Sequence, residues 1–316
     1  MPRKIVIDTD PGVDDAMAIF YALKSPELEV LGLTTVFGNA HADQGTINAL
    51  RLLEIAGRSD IPVAGGAPHP LTGPFDAPAD FVHGKDGQGN TFLPPPTTQP
   101  LNIHAAQFLV DTVMSDPGNV TIVALGPLTN VALALMLRPD LASHIREIVL
   151  MGGAAFVPGN VSPAAEANIH NDPEAADIVF GAGCPVTMVG LDVTLQIVMT
   201  AADLDRFGTF PDPMSQHVAR IVPFYLDFYH QISGRNAIVV HDSTTITWLL
   251  HPDLFTTRSR AVRVETQGMS RGKTWPANER NRPDSPWTGR PAVNILVGVD
   301  GPEAARAELD AFAGGS

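Results

Sequence analysis

The run Asp8-Thr9-Asp10-Pro11-Gly12-Val13-Asp14-Asp15 puts four carboxylates within eight residues, directly after the apolar stretch Ile5-Val6-Ile7. Such a group repels itself unless protons or a cation compensate, and an oxygen-only donor set rich in carboxylates selects a hard ion, calcium or magnesium. Asp14 or Asp15 taken singly would also serve as an ordinary helix N-cap, so only the group points to an ion. A second set, Asn160, Glu166, Asn168, Asn171 and Asp172, lies in one segment after an apolar strand-like run. Amide side chains both donate and accept hydrogen bonds, which suits the hydroxyls of a sugar. They are also common loop residues, and Asp172-Pro173-Glu174 reads as a plain helix start. Gly38-Asn39 closes another strand-like run, and His241-Asp242 heads a helical one. There Asp242 can cap the helix and His241 can be an interior histidine.

Apolar strand-like runs alternating with amphipathic helical ones position these residues. Residues 3–9, 28–36 and 61–66 read as strands, with helices around Ala16–Leu23 and over 44–56. Residues 67–100 break the rhythm. Rich in Pro and Gly and carrying His83, Lys85 and Asp86, they read as a functional loop or mobile lid. Helix 103–115, strand 120–125, a helix from near Asn130, and strands 145–153 and 185–193 follow. A helical stretch over 201–233, a helix after Asp242, a strand meander over 261–300 and a terminal helix from Gly301 complete the pattern. The alternation predicts an α/β protein: a single large Rossmann-like domain over 1–316, with a mainly parallel central sheet flanked by helices. In such a sheet ligands bind at the carboxyl ends of the strands, where Asp8 and Asp10 are delivered.

The formal net charge of −14 disfavours a nucleic-acid polymer as partner, since both would be anionic. One cysteine, Cys184, allows neither an intrachain disulfide nor a thiolate zinc site. No signal-like segment and no run of about 18 apolar residues is present, so no membrane association is expected and a cytoplasmic enzyme is.

Taken together, DTDPGVDDAMAI (8–19), TTVFGNA (34–40), HGKDG (83–87), ALGPLTNVALAL (124–135), MGGA (151–154), GNVSPAAEANIHNDPEAA (159–176), GLDVT (190–194) and HDS (241–243) resemble the nucleoside hydrolase family. These are the inosine–uridine-type N-ribohydrolases, and the motifs run in the family's order across nearly the whole chain. The resemblance implies calcium-dependent hydrolysis of a small-molecule ribonucleoside to ribose and free base, by a homodimer or homotetramer with a nucleoside hydrolase-like fold. It implies a calcium ion held by Asp10, Asp15, Asp242 and the main-chain carbonyl of Leu125. Asp10 would also be the general base for a water on that ion. Asp14 would bind the ribose 2′-hydroxyl, Asn168 and Asp242 the neighbouring hydroxyls, Asn160 and Glu166 the 5′-hydroxyl, and Asn39 would lie against the ribose. His83 and His241 would lie near the nucleobase, with His241 the acid for the departing base. Carboxylates suit this reaction because its transition state resembles an oxocarbenium cation.

The sequence departs from the family pattern at Ala167, where an aromatic residue is common, and at Gln88, where HGxDGLG has Leu. Both departures bear on the base preference, and purine and pyrimidine nucleosides stay equally within the expectation. Two other readings fit parts of the chain. Asp8-Thr9-Asp10 also matches the opening of a haloacid-dehalogenase-like phosphotransferase, and the same pocket would serve a catalytically inactive ribose- or nucleoside-binding module.

Overall fold

The computed structural model describes residues 1–279 and 284–314. In chain order the first half comprises β1 (Arg3–Thr9), α1 (Val13–Lys24), β2 (Leu28–Thr35), α2 (Ala42–Ile55), β3 (Val63–Gly65), α3 (Asp80–His83), α4 (Ala105–Ser115), β4 (Val120–Ala124), α5 (Thr129–Leu137) and β5 (Glu147–Met151). The second half comprises α6 (Ala167–Asn171), α7 (Pro173–Phe180), β6 (Val186–Val189), α8 (Leu191–Thr194), β7 (Val198–Thr200), α9 (Ala201–Asp205), α10 (Pro213–Ser233), β8 (Ala237–Val239), α11 (Ser243–Leu250), β9 (Phe255–Val264), β10 (Thr274–Pro276), β11 (Ala292–Val299) and α12 (Gly301–Phe312).

Nine strands form one sheet in the order β10-β9-β11-β6-β5-β4-β1-β2-β3. Every pairing from β3 through β1 to β6 and on to β11 is parallel, while β9 runs antiparallel to both β11 and β10. The Rossmann-like expectation is thus met, with an antiparallel edge added by the meander. Residues 280–283 of that meander lie outside the described residues. The strand order reverses between β1 and β4, so a crevice opens beyond their carboxyl ends. Thr9 and Ala124, with Asp10 and Leu125 next in the chain, face it.

Side chains of β1 alternate between the two faces. Ile5 and Ile7 pack into the layer holding α1, α10, α11 and α12, and Val6 into the layer holding α4, α5 and α7. Helices on both faces explain why Ile5-Val6-Ile7, the middle of this strand, is apolar on both sides.

The segment 201–233 is not one helix. β7 and β8 pair as a separate antiparallel ribbon, and α9 gives way to a 3-10 turn at Arg206–Thr209 before α10 begins. Pro211 and Pro213 disallow a continuous helix, and Asp212 caps the new one by accepting from the Ser215 N–H at 3.2 Å. The strand over 185–193 ends at Val189, and Leu191–Thr194 is a helical turn. No helix among the described residues is long and apolar enough to cross a membrane.

Candidate active site

Asp10 leaves β1 at the crevice and is buried. Its Oδ2 accepts the Asn39 N–H at 2.7 Å, while its Oδ1 has no hydrogen-bond partner. Gly126, beside Leu125 at the end of β4, makes this seat possible, since a Cβ there would stand 2.5 Å from Asp10 Oδ1. Asp15, in the first turn of α1, is fully engaged: Thr9 Oγ1 donates to one oxygen, and the Gly12 N–H and Asn39 Nδ2 donate to the other at 2.9 Å each. Asp14 accepts from Tyr225 Oη at 3.1 Å through Oδ2, and its Oδ1 is unpartnered. Asp242 stands at the N-cap position of α11 yet caps nothing with its side chain. None of Asp14, Asp15 and Asp242 is thus a simple side-chain N-cap: Gly12 holds that position in α1, and Asp15, three residues on, accepts its N–H.

Carboxylate oxygens of Asp14, Asp15 and Asp242 lie within 4.8 Å of one another. Asp10 raises the proton affinity of Asp242 by its charge and is itself raised by Asp15 and Asp14. Burial, the largest cause throughout, pushes Asp14 up to about 6 and Asp10 and Asp242 well above the carboxylate range. Among the described residues no Lys or Arg pairs with any of the four; His83 Nδ1 lies 3.7 Å from Asp14 Oδ1 without supplying a charge. A buried, uncompensated set of carboxylates with unpartnered oxygens fits a hard cation, and the donors are all oxygen. The oxygens that converge are thus those of Asp14, Asp15 and Asp242: the expected ribose ligand Asp14 stands in the group, and the expected ion ligand Asp10 is coupled to it by charge without being one of the three. Leu125 belongs to its rim, where its carbonyl accepts from Asn168 Nδ2 at 2.6 Å. Asp8 is held apart from this group, accepting from Thr34 Oγ1 at 2.6 Å and Asn130 Nδ2 at 2.8 Å.

Above the carboxylates a cavity of about 290 Å³ is lined by Asp14, Asn39, His83, Asn160, Asn168 and Asp242, among others. Its far end is aromatic. Tyr225 and Tyr229 on α10 both line it, and His83 stacks on Tyr225 with ring centroids 5.5 Å apart. His241 meets Tyr229 Oη at 2.8 Å through Nε2 and Thr194 Oγ1 at 2.9 Å through Nδ1. Burial pushes both histidines down to about 4, so both are neutral at pH 7. Val13 N–H donates to His83 Nδ1 at 3.2 Å, which leaves the proton of that ring on Nε2.

Glu166 is the N-cap of α6 and accepts the N–H groups of Gly153, Asn168 and Ile169 at 2.8–3.2 Å. Its first job is therefore to shape the loop beneath the cavity. Asn160, exposed at the rim, accepts from the Ala167 N–H at 3.1 Å. Asp172 caps α7 as the Asp-Pro-Glu pattern indicated.

Sequence reasoning gave no role to Asn130, which ties Asp8, the Thr35 carbonyl and the Ala67 N–H together beneath the crevice. The GPLTN motif carried that signal. It also missed the apolar walls Phe81, Leu195, Phe228 and Ile232, for which no sequence signal separates a pocket wall from core. The irregular segment 67–100 is held at one point. Asp86 accepts the N–H groups of Gln88, Asn90 and Phe92 at 2.6–2.9 Å, pinning 86–92, and α3 carries exposed Phe81 at the cavity mouth.

Residues 5–306 match the family model described as inosine-uridine preferring nucleoside hydrolase. The chain is 46% identical over 311 residues to a probable uridine nucleosidase 2 of Arabidopsis thaliana, covering 98% of this chain and 97% of that protein. It is 47% identical over 269 residues to the pyrimidine-specific ribonucleoside hydrolase RihA of Salmonella arizonae, covering 85% and 86%. The solved plant nucleoside hydrolase PpNRh1 superposes with a TM-score of 0.96 at 42% identity, over 99% of both chains. The phosphotransferase reading of Asp8-Thr9-Asp10 falls away with these matches. Fold, acidic crevice and similarity over nearly the full length agree: the chain belongs to the inosine-uridine preferring nucleoside hydrolase family, enzymes that hydrolyse an N-glycosidic bond.

Proposed function

We propose that this protein hydrolyses ribonucleosides, uridine among them, to ribose and free base in a calcium-dependent reaction, with Asp10 as the general base. The observation that carries the reading is the buried carboxylate group, with unpartnered oxygens on Asp10 and Asp14, of which Asp14 and Asp242 line a cavity that also presents amide side chains and histidines. The names of the relatives, uridine nucleosidase and pyrimidine-specific ribonucleoside hydrolase, support uridine as a substrate. Asp10, Asp15 and Asp242, with the Leu125 carbonyl, would hold the calcium ion. When bound, that ion supplies a Lewis acid that lowers the pKa of a water.

Asp10 takes the proton of the attacking water on Oδ1, the oxygen that Asn39 leaves free. Asp14, Asn168 and Asp242 bind the 2′- and 3′-hydroxyls, and the carboxylates of Asp14 and Asp242 stabilise the ribosyl cation as the bond breaks. Asn160 and Glu166 take the 5′-hydroxyl, Glu166 mainly by fixing the loop, and Asn39 lies against the ribose. His83 and His241 face the base. The whole chain acts as one catalytic unit, assembled as a homodimer or homotetramer in the cytoplasm, where a lone cysteine is at home.

The test is a panel of uridine, inosine, cytidine, adenosine and 2′-deoxyuridine, read by reducing-sugar release. Ribonucleosides are expected to be cleaved and 2′-deoxyuridine to lose more than about 10²-fold in kcat/KM, because Asp14 is left without its hydroxyl. Equal rates on uridine and 2′-deoxyuridine would refute the ribose assignments.

His241 is neutral in the free protein and oriented by Tyr229 Oη at Nε2 and Thr194 Oγ1 at Nδ1. It acts as the acid by taking up one proton, passing it to the departing base and returning to neutral imidazole. Asp10 releases the proton of the attacking water to solvent, so the count balances. His241→Ala is expected to lower kcat on uridine by roughly 10²-fold, the low end for a general acid. A nitrophenyl riboside, whose leaving group departs without a proton, should lose far less. Equal losses on both substrates in a folded variant would exclude the acid role.

A further inference from the structure

Gln88 is almost fully buried and reaches three parts of the molecule at once. Its Nε2 lies 2.8 Å from the Gly12 carbonyl, 3.3 Å from that of Pro11 and 3.1 Å from that of Gly87. Facing carbonyls only, that end must be the amide NH2. The oxygen end therefore faces His217 Nε2, 2.9 Å away, and His217 must donate. His217 lies in the buried first part of α10, its pKa pushed down to about 4 by burial and by Arg220 and Arg51, so the donor at pH 7 is the neutral Nε2–H tautomer.

Pro11 and Gly12 are the turn between Asp10 and the Asp14-Asp15 pair. Asn48 clamps the same turn, donating to the Pro11 carbonyl at 3.1 Å and the Asp86 carbonyl at 2.8 Å. His217 sits eight residues before Tyr225 on α10, about 12 Å along the axis. The loop is wedged hard against that helix: Gly89 has φ +65°, and a Cβ there would stand 2.8 Å from the Ile221 carbonyl.

We propose that Gln88 is a positioning residue: through His217 it sets helix α10, and with it Tyr225 and Tyr229 at the base end of the cavity, at a fixed distance from the acidic turn at the sugar end. The assignment of the two ends rests on the ribonucleoside reading. The two ends meet at one bond, Tyr225 Oη to Asp14 Oδ2 at 3.1 Å, so a ligand spanning both ends feels this distance more than one that occupies only the sugar end.

Three variants test it. Gln88→Leu removes both ends of the bridge, His217→Phe removes the donor, and His217→Gln keeps a donor. Gln88→Leu and His217→Phe are each expected to raise KM for uridine about tenfold, the worth of one or two buried hydrogen bonds. Their kcat should fall less than about threefold, and the inhibition constant of free ribose, which feels α10 only through the Tyr225–Asp14 bond, should rise less than about threefold, both small beside that rise in KM. His217→Gln should stay near wild type, and Gln88→Leu/His217→Phe should be no worse than Gln88→Leu, as residues acting as one unit are not additive. An unchanged uridine KM, an equal rise in the ribose constant, or His217→Gln as damaging as His217→Phe would each overturn the proposal. Hydrogen exchange on the ligand-free proteins decides it independently of activity. Residues 217–229 should exchange roughly tenfold faster in Gln88→Leu and His217→Phe, with Ser243–Leu250 unchanged. Unchanged exchange in 217–229 overturns the positioning role, while failure of the wild type to cleave any ribonucleoside overturns only the functional reading.

Discussion

Asp10→Ala should lower kcat on uridine by roughly 10⁴-fold or more, since a general base alone contributes about 10²–10⁴ and this change also removes an ion ligand. The expectation follows from where the side chain sits. Asp10 is buried at the end of β1, one oxygen fixed by the Asn39 N–H at 2.7 Å and the other unpartnered beside Gly126. Asp10→Asn separates its two duties. It preserves volume and one carbonyl oxygen but cannot take a proton, so its kcat should also collapse while the protein still binds calcium, though more weakly. The measurement is steady-state kinetics on variants whose fold and calcium content have been checked by circular dichroism and elemental analysis. A variant keeping more than about a tenth of the wild-type kcat falls far short of a base's usual contribution, and Asp10 would then not be the base.

Removal of the ion should be nearly as costly. Without it, Asp10, Asp14, Asp15 and Asp242 share a buried space with no Lys or Arg partner among the described residues. Exhaustive chelation should abolish turnover, and calcium should restore it. Stability should change too, and its sign follows from the carboxylates. Their folded pKa values are raised, Asp14 to about 6 and Asp10 and Asp242 well above the usual value of 3.8. In the metal-free protein the unfolded chain therefore releases these protons first, and stability falls as pH rises from about 4 through 6 and beyond. Bound calcium favours the ionised carboxylates and removes that loss, adding about 2.7 kcal/mol at a hundredfold excess over its Kd. Thermal melts from pH 5 to 8 should show a falling Tm for metal-free protein and a flatter one for calcium-loaded protein. Full activity in protein shown by elemental analysis to be metal-free would contradict the calcium requirement.

Much of this site was legible in the sequence because its residues cluster along the chain. Asp10, Asp14 and Asp15 fall within one strand–turn–helix unit, and the strand's position in the order β3-β2-β1-β4 puts them at the reversal point of the sheet. Asp242 was legible only through its motif, since nothing local distinguishes an N-cap that caps from one that does not. The aromatic wall was not legible. Tyr225, Phe228 and Tyr229 share an amphipathic helix with core residues such as Ile221 and Val222, and spacing alone does not say which apolar position faces a cavity. The break at Phe210–Pro213 and the β7–β8 ribbon were missed for a different reason: short strands carry too few residues for a period to register. Gln88 looked like a departure bearing on base preference, and only the fold shows that it spans the acidic turn and α10.

The most direct test of the account is to incubate the purified, calcium-loaded protein with uridine in phosphate-free buffer and quantify uracil and ribose together. The account predicts both products in equal amounts, with water as the only co-substrate and no increase on adding phosphate. Uridine binding without any uracil release would mark the chain as a nucleoside-binding protein, and release that required phosphate would mark it as a phosphorylase. Either result would contradict hydrolysis at the Asp10 floor.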